Sequence, residues 1–268
     1  MTATSATPTV EPAATDRPRS WTSLVLLHAR VEFLQTVRVP IAVIGNLLFP
    51  GMALLFFVVP QRVVAEDPIG ATAAVAQLAA FAVMSVSLFS FGVGVAEDRA
   101  LPFDPYVRTL PAGAGPRLGG RVINALVWTY LALVPLVLIG ALLTEATMTP
   151  GQVAASIALV PTVLLPFLFL GLAIGYRMSA KAAIAVVQAT LFPLAFAGGL
   201  FLPPAMFPAW LETASRALPS RAVRDLVVEV AAGVPAYAGA AAVLVGWALL
   251  FGALAVLGHR RDEGRRFR

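Results

Sequence analysis

The residues best placed to do chemistry gather between Glu97 and Arg121, where Glu97, Asp98 and Asp104 share one segment with Arg99, Arg108, Arg117 and Arg121. Acids this close together could hold a divalent metal for phosphate chemistry on a lipid-linked substrate. Arg99 and Arg108 stand near enough to neutralise them, so the same residues describe a solvated loop at a membrane edge equally well. A phosphate-binding loop needs glycines, a lysine and a hydroxyl in fixed order. The one lysine, Lys181, has Ala180 where a glycine belongs and Ala182 where the hydroxyl belongs. His28 and His259 stand near opposite ends of the chain, and no His-Glu pair has zinc-ligand spacing. The chain has no cysteine, which excludes disulfides and thiolate metal sites. The expectation is a chain with no catalytic residue, no metal site and no bound cofactor of its own.

The elements that must carry these residues are read from hydropathy. Apolar residues make up 59% of the chain and charged residues 12%, against about 45–50% and about 25% in soluble domains. Six stretches, Ile41 to Val59, Ala71 to Val95, Val122 to Leu143, Val153 to Ile174, Ala182 to Phe201 and Tyr237 to Leu257, have the length of roughly 20 residues that a helix needs to cross a hydrocarbon core. They predict an all-α integral membrane protein with six transmembrane helices. Fifteen of the nineteen cationic side chains fall on one side of these spans, including Arg30, Arg38, Arg99, Arg121, Arg177 and Lys181, and four, Arg62, Arg216, Arg221 and Arg224, on the other. Cytoplasmic loops carry such an excess, so both termini are expected inside the cell membrane. The pI near 10.4 then calls for no nucleic-acid partner.

Residues 1–20 are rich in Ala, Thr and Pro and predict a disordered cytoplasmic tail rather than a cleaved signal. Residues 258–268 form a basic cytoplasmic tail. Trp21 to Arg38 reads as an amphipathic helix on the inner membrane surface, with Leu24, Leu27, Val31 and Leu34 on one face and His28, Glu32, Gln35 and Thr36 largely opposite. Pro50, Pro135, Pro161, Pro166 and Pro193 predict bends within the spans. No charged residue falls inside a span, which argues against proton- or ion-coupled transport. Among the mild polar groups at membrane depth, Asn46, Gln77, Tyr130 and Gln188 are candidates to line a translocation path, although such groups more often join helix to helix.

Two motifs carry a resemblance. Glu97-Asp98-Arg99 followed by Val107-Arg108-Thr109-Leu110-Pro111 is one; Gly199-Leu200-Phe201-Leu202-Pro203, then Pro208-Ala209-Trp210-Leu211 and Pro219, is the other. Here the chain resembles the permease subunits of ABC type-2 exporters from roughly Trp21 to Leu257. Leu101-Pro102-Phe103 replaces the family's usual Gly-Thr after the acidic cluster. The resemblance implies that residues 97–121 form a coupling loop seated in a cytosolic ATPase, with Glu97, Asp98, Arg99, Asp104, Arg108, Thr109, Leu110 and Pro111 at the contact. It also implies short external re-entrant helices over residues 203–233, carrying Gly199, Phe201, Pro203, Pro208, Trp210 and Pro219. Ser220 is expected to cap a helix ended by Gly233, and Arg221 and Asp225 to pair on its exposed face. The implied function is the permease subunit of a bacterial ATP-driven exporter. It would pair with a second permease copy or paralogue and with separate ATPase subunits that bind ATP and magnesium. Its cargo would be a drug, antibiotic or lipid-like compound, giving efflux and antibiotic resistance. Export of a lipid-linked polysaccharide or envelope precursor, and a non-transporting scaffold or sensor arm, are the alternatives.

Overall fold

The computed structural model describes residues 20–38, 40–102 and 115–265, with the side chains at 40–46 and 263–265 left aside. Among the described residues the chain is helical throughout, with no strand. Helix α1 (Trp21–Val37) starts at Ser20, whose hydroxyl accepts from the Ser23 N–H. Helix α2 (Pro40–Phe57) leads through the short α3 (Arg62–Ala65) to α4 (Pro68–Leu88). Asp67 caps α4 by accepting from the Gly70 N–H at 2.8 Å, and Pro68 takes the first position, where no N–H is needed. A π-helical turn (Phe89–Val93) joins α4 to α5 (Gly94–Ala100). There follow α6 (Gly115–Leu143), α7 (Pro150–Gly175), opened by a Thr149/Gln152 capping box, and α8 (Ala180–Ala197). A 3-10 turn (Pro204–Met206), α9 (Ala209–Ser215), α10 (Pro219–Ala232) and α11 (Ala240–Arg265) complete the described chain.

Among the described residues five helical stretches are long and apolar enough to cross a membrane: Pro68–Ala100, Gly115–Leu143, Pro150–Gly175, Ala180–Ala197 and Ala240–Asp262. The stretch expected over 41–59 appears as α2, whose described apolar side chains run from Leu47 to Phe57. Helix α4 is the centre of the bundle, packing on α2, α6, α7, α8 and α10. The α8 and α11 spans are only 22% buried, so most of their apolar side chains face outward. Such all-round hydrophobicity belongs in lipid or against another subunit.

Several boundaries differ from the sequence reading. The second span runs on helically to Ala100, so Glu97, Asp98 and Arg99 form a last helical turn rather than a loop. The third begins at Gly115, which places Arg117 and Arg121 on a helix. All five predicted bend prolines sit within unbroken helices. A π-helical turn lies at Phe89–Val93, which lacks proline. Helix α7 presses on that turn: a Cβ on Gly175 would lie 2.6 Å from the Phe91 carbonyl oxygen, so only glycine lets the two backbones approach.

Helix α1 packs through Val25, Ala29 and Glu32, not through its leucines. His28 and Ala29 lie against Gly120 of α6, where a Cβ would come within 2.6 Å of the His28 Cβ. Leu27, Val31 and Leu34 remain exposed, an apolar arc free to meet a membrane surface. In α10 the N-cap is Leu218, with Pro219 at the first helical position; Ser220 is buried inside the helix against Gly198 and caps nothing. Gly233 ends that helix as expected, in the left-handed conformation with φ 71°.

Candidate functional site

Two charge clusters lie toward opposite ends of the α4–α5 rod. The stretch from Gln77 to Asp98 is about 30 Å long at about 1.5 Å per residue, close to the thickness of a hydrocarbon core.

At the α5 end, Arg121 of α6 is the hub. Its Nε donates to Glu32 of α1 at 3.1 Å, and its guanidinium also donates to Asp98 of α5 and to the Ser90 carbonyl. Arg117, one turn earlier, stands 3.5 Å from Asp98. Arg99 reaches the other way. Its Nε donates to Asp262 of α11 at 3.0 Å, and its Nη1 to the Gly175 and Met178 carbonyls at 2.6 and 3.2 Å. A cation at the C-terminal end of α7 also meets the negative end of that helix dipole. Burial pushes the Glu32 carboxyl above its usual 4.5, against the pull of Arg121. Burial, then Arg117, lowers His28 from 6.5. Five helices, α1, α5, α6, α7 and α11, are thus tied at one place by side chains distant in sequence. The acids and arginines pair with one another, and among the described residues no group of three or more His, Cys, Asp or Glu is placed to hold a metal.

At the other end, Arg221, Arg224 and Asp225 of α10 form a cluster against α4 and α9. Asp225 accepts from Arg221 Nε and from Arg224 Nη1, both at 2.8 Å. Arg221 also donates to Ser215 at 3.0 Å, and Arg224 Nη2 lies 3.4 Å from the Gln77 oxygen of α4. The predicted exposed Arg221–Asp225 pair is therefore corrected: the two residues are 6% and 5% exposed, because α4, α7 and α11 cover several faces of α10. Tyr237 and Trp247 donate to the Arg216 and Ala217 carbonyls at 2.6 and 2.7 Å and pin the α9–α10 link to the last helix.

Beside this cluster lies a cavity of about 630 Å³, formed by α2, α4, α8 and the segment from Phe201 to Met206. Its lining is mostly apolar, with Gln61, Gln77 and Arg224 as the polar exceptions.

Of the four path candidates, Gln77 lines this cavity. Tyr130 donates to the Ile157 carbonyl at 2.9 Å and ties α6 to α7; Gln188 sits on the exposed face of α8; the Asn46 side chain lies outside the described residues. Of the coupling candidates, Asp98 and Arg99 join the junction and Glu97 is exposed beside it, while Asp104, Arg108, Thr109, Leu110 and Pro111 lie outside the described residues. Of the second motif, Phe201 and Pro203 line the cavity, Gly199 has φ 80°, Pro208 precedes α9, Trp210 is 71% exposed and Pro219 opens α10. The sequence reading missed Glu32, Arg117, Arg121 and Asp262 as partners of the motif. The available signal was opposite charge flanking successive spans: Asp98 after one, Arg121 before the next.

The family model described as ABC-2 type transporter matches residues 24–231. The chain belongs to this family. A Bacillus subtilis (strain 168) protein named "Putative transport permease YvfS" is 25% identical over 140 residues, 52% of this chain and 57% of that protein. The chain thus aligns with little more than half the length of that relative. No solved structure matches. Within this ABC-2 transporter chain, the matched region takes in both charge clusters except Asp262, which lies beyond its end.

Proposed function

We propose that this chain is the membrane half of a bacterial ATP-driven exporter, with α2 as a sixth span, both termini cytoplasmic, and hydrolysis assigned to separate ATPase subunits that bind ATP and magnesium. Two permease copies, or this chain and a paralogue, would enclose the path. The α9–α10 segment would be the external re-entrant element.

The observation that supports this reading best is the double anchorage of the coupling segment. Asp98 near its start and Arg117 and Arg121 near its end are ion-paired, so its two ends are held together and fastened to α1 through Glu32. Arg99 fastens the same place to α7 and α11. A push from an ATPase on residues 97–121 would move these helices together. Its work must come from ATP binding one state more tightly than the other. Apolar spans around a mostly apolar cavity suit a hydrophobic or amphipathic cargo such as a drug, antibiotic or lipid-like compound, and hence an efflux role.

The test is reconstitution of this chain with the ATPase from the neighbouring reading frame. Replacing Asp98, Arg99 and Arg108 together by Ala should lower permease-dependent ATP turnover about tenfold or more, the scale of a typical coupling free energy, while the complex still elutes intact. An intact complex with unchanged turnover would overturn the coupling role.

A further inference from the structure

The cavity beside α10 has an aromatic side and a polar corner. The lining rings Phe49 and Phe201 both pack on the buried Phe81, at 5.5 and 4.8 Å between centroids, and Phe201 meets the lining ring Phe196 at 5.0 Å. Phe57 and Phe196, both lining residues, are more than half exposed, so the apolar side is open between α2 and α8. A volume of about 630 Å³ lies within the range of small-molecule sites.

The polar corner is deficient in negative charge. Arg216, Arg221 and Arg224 face only Glu212 and Asp225 among the described residues, and Asp225 is shared by two of the arginines. Arg216 and Arg221 draw on Glu212, and Arg221 takes one oxygen of Asp225. Arg224, which lines the cavity, is left with the other Asp225 oxygen and a long contact to Gln77, and its buried Nε has no acceptor. Gln77 is 4% exposed and gives its oxygen to Arg224; its amide nitrogen makes no hydrogen bond among the described residues. A guanidinium with donors to spare and the Gln77 amide donor beside it together form a receptor for an anionic oxygen. A cation held at this depth without a full counter-charge favours binding of one.

We propose that this cavity binds an amphipath with an acidic head, the head on Arg224 and Gln77 and the apolar chain along Phe49, Phe57, Phe196 and Phe201. The charge deficit and the open aromatic side together select a membrane-borne acid with an apolar tail over a free anion or a neutral oil. As a statement about exported cargo it rests on the transport reading above; as a statement about binding it does not.

The test uses the full chain in nanodiscs of neutral phosphatidylcholine, without any ATPase, so its outcome is separate from that of the coupling experiment. The probes are cis-parinaric acid, whose fluorescence rises in an apolar site, and its methyl ester. The acid should bind at least tenfold more tightly than the ester. Arg224→Gln should abolish that preference while leaving ester binding in place, and Arg224→Lys should keep most of it. Ala74→Trp, which fills the cavity, should remove binding of both probes. Unchanged ester affinity in Arg224→Gln also certifies the fold of that variant. Equal affinity for acid and ester, a preference that survives Arg224→Gln, or displacement of the acid by millimolar inorganic phosphate would each overturn the proposal. So would probe binding untouched by Ala74→Trp with a changed oligomeric state, which would assign the cavity to a second copy of the chain.

Discussion

The two charge clusters use similar residues but join different numbers of helices. Around Arg121 and Arg99 every acid–base partner comes from a different helix, and five helices converge. Around Asp225 the pairing is mostly local, Arg221 to Asp225 across one turn of α10, with reaches to Glu212 and Ser215 of the adjacent α9 and to Gln77 of α4. The first arrangement ties separate helices together, as the proposed coupling role requires. The second lies mostly within α9 and α10 and sets Arg224 at the edge of a cavity, as the proposed binding role requires.

The largest expected effect comes from removing the hub. Arg121→Ala would leave Glu32 mostly buried without its guanidinium, a change of about 3–5 kcal/mol when a buried pair loses one member, while the more exposed Asp98 keeps Arg117 at 3.5 Å. Arg221→Ala leaves Asp225 still paired with Arg224, so its loss should be distinctly smaller. Thermal unfolding of the two variants in the same detergent checks the order. Equal losses would remove the distinction between the clusters.

A middle-sized effect concerns Glu32. Because burial raises its folded-state pKa above 4.5, the folded chain binds that proton more tightly than the unfolded chain does. The stabilising contribution is therefore complete below pH 4.5 and is lost as pH rises through the raised value. Glu32→Gln does not titrate there, so its stability relative to the parent should rise as pH increases across that window. Unfolding midpoints of both proteins from pH 4 to pH 8 give the answer, and a constant difference would mean that the α1 anchor is fully solvated.

Much of this fold was legible in the sequence because lipid imposes a one-dimensional rule: a long apolar run must be a helix, and its flanking charges sort by side. That rule identified the segments from Ala71 to Val95 and from Tyr237 to Leu257 without any tertiary information, and the motif at Glu97-Asp98-Arg99 supplied two of the residues of the junction, Asp98 and Arg99. The rule is silent on which helix touches which. Arg99 meets Asp262 across most of the chain, and nothing local to either residue encodes that contact. The π turn at Phe89–Val93, which contains Gly92, escaped notice for a related reason: it lies against the glycine face of α7, a contact between segments distant in sequence. Arg221 and Asp225 were recognised as partners but judged exposed, because burial of α10 depends on α4, α7 and α11 arriving from elsewhere in the chain.

The smallest expected effect isolates burial from spacing. Arg62 and Glu66 of the α3 turn have the same i,i+4 separation as Arg221 and Asp225 and a contact of 3.2 Å, but their side chains are 82% and 63% exposed. Water already solvates both groups, so Glu66→Ala should change stability by no more than about 0.5 kcal/mol and should lose even that in high salt. Asp225→Ala, by contrast, strips two mostly buried guanidiniums of their shared carboxylate and should cost several times more. Unfolding measured for both variants at low and high salt decides the matter. If Glu66→Ala proves as damaging as Asp225→Ala, helical spacing rather than burial sets the strength of these pairs, and the cavity-facing cluster loses its special standing.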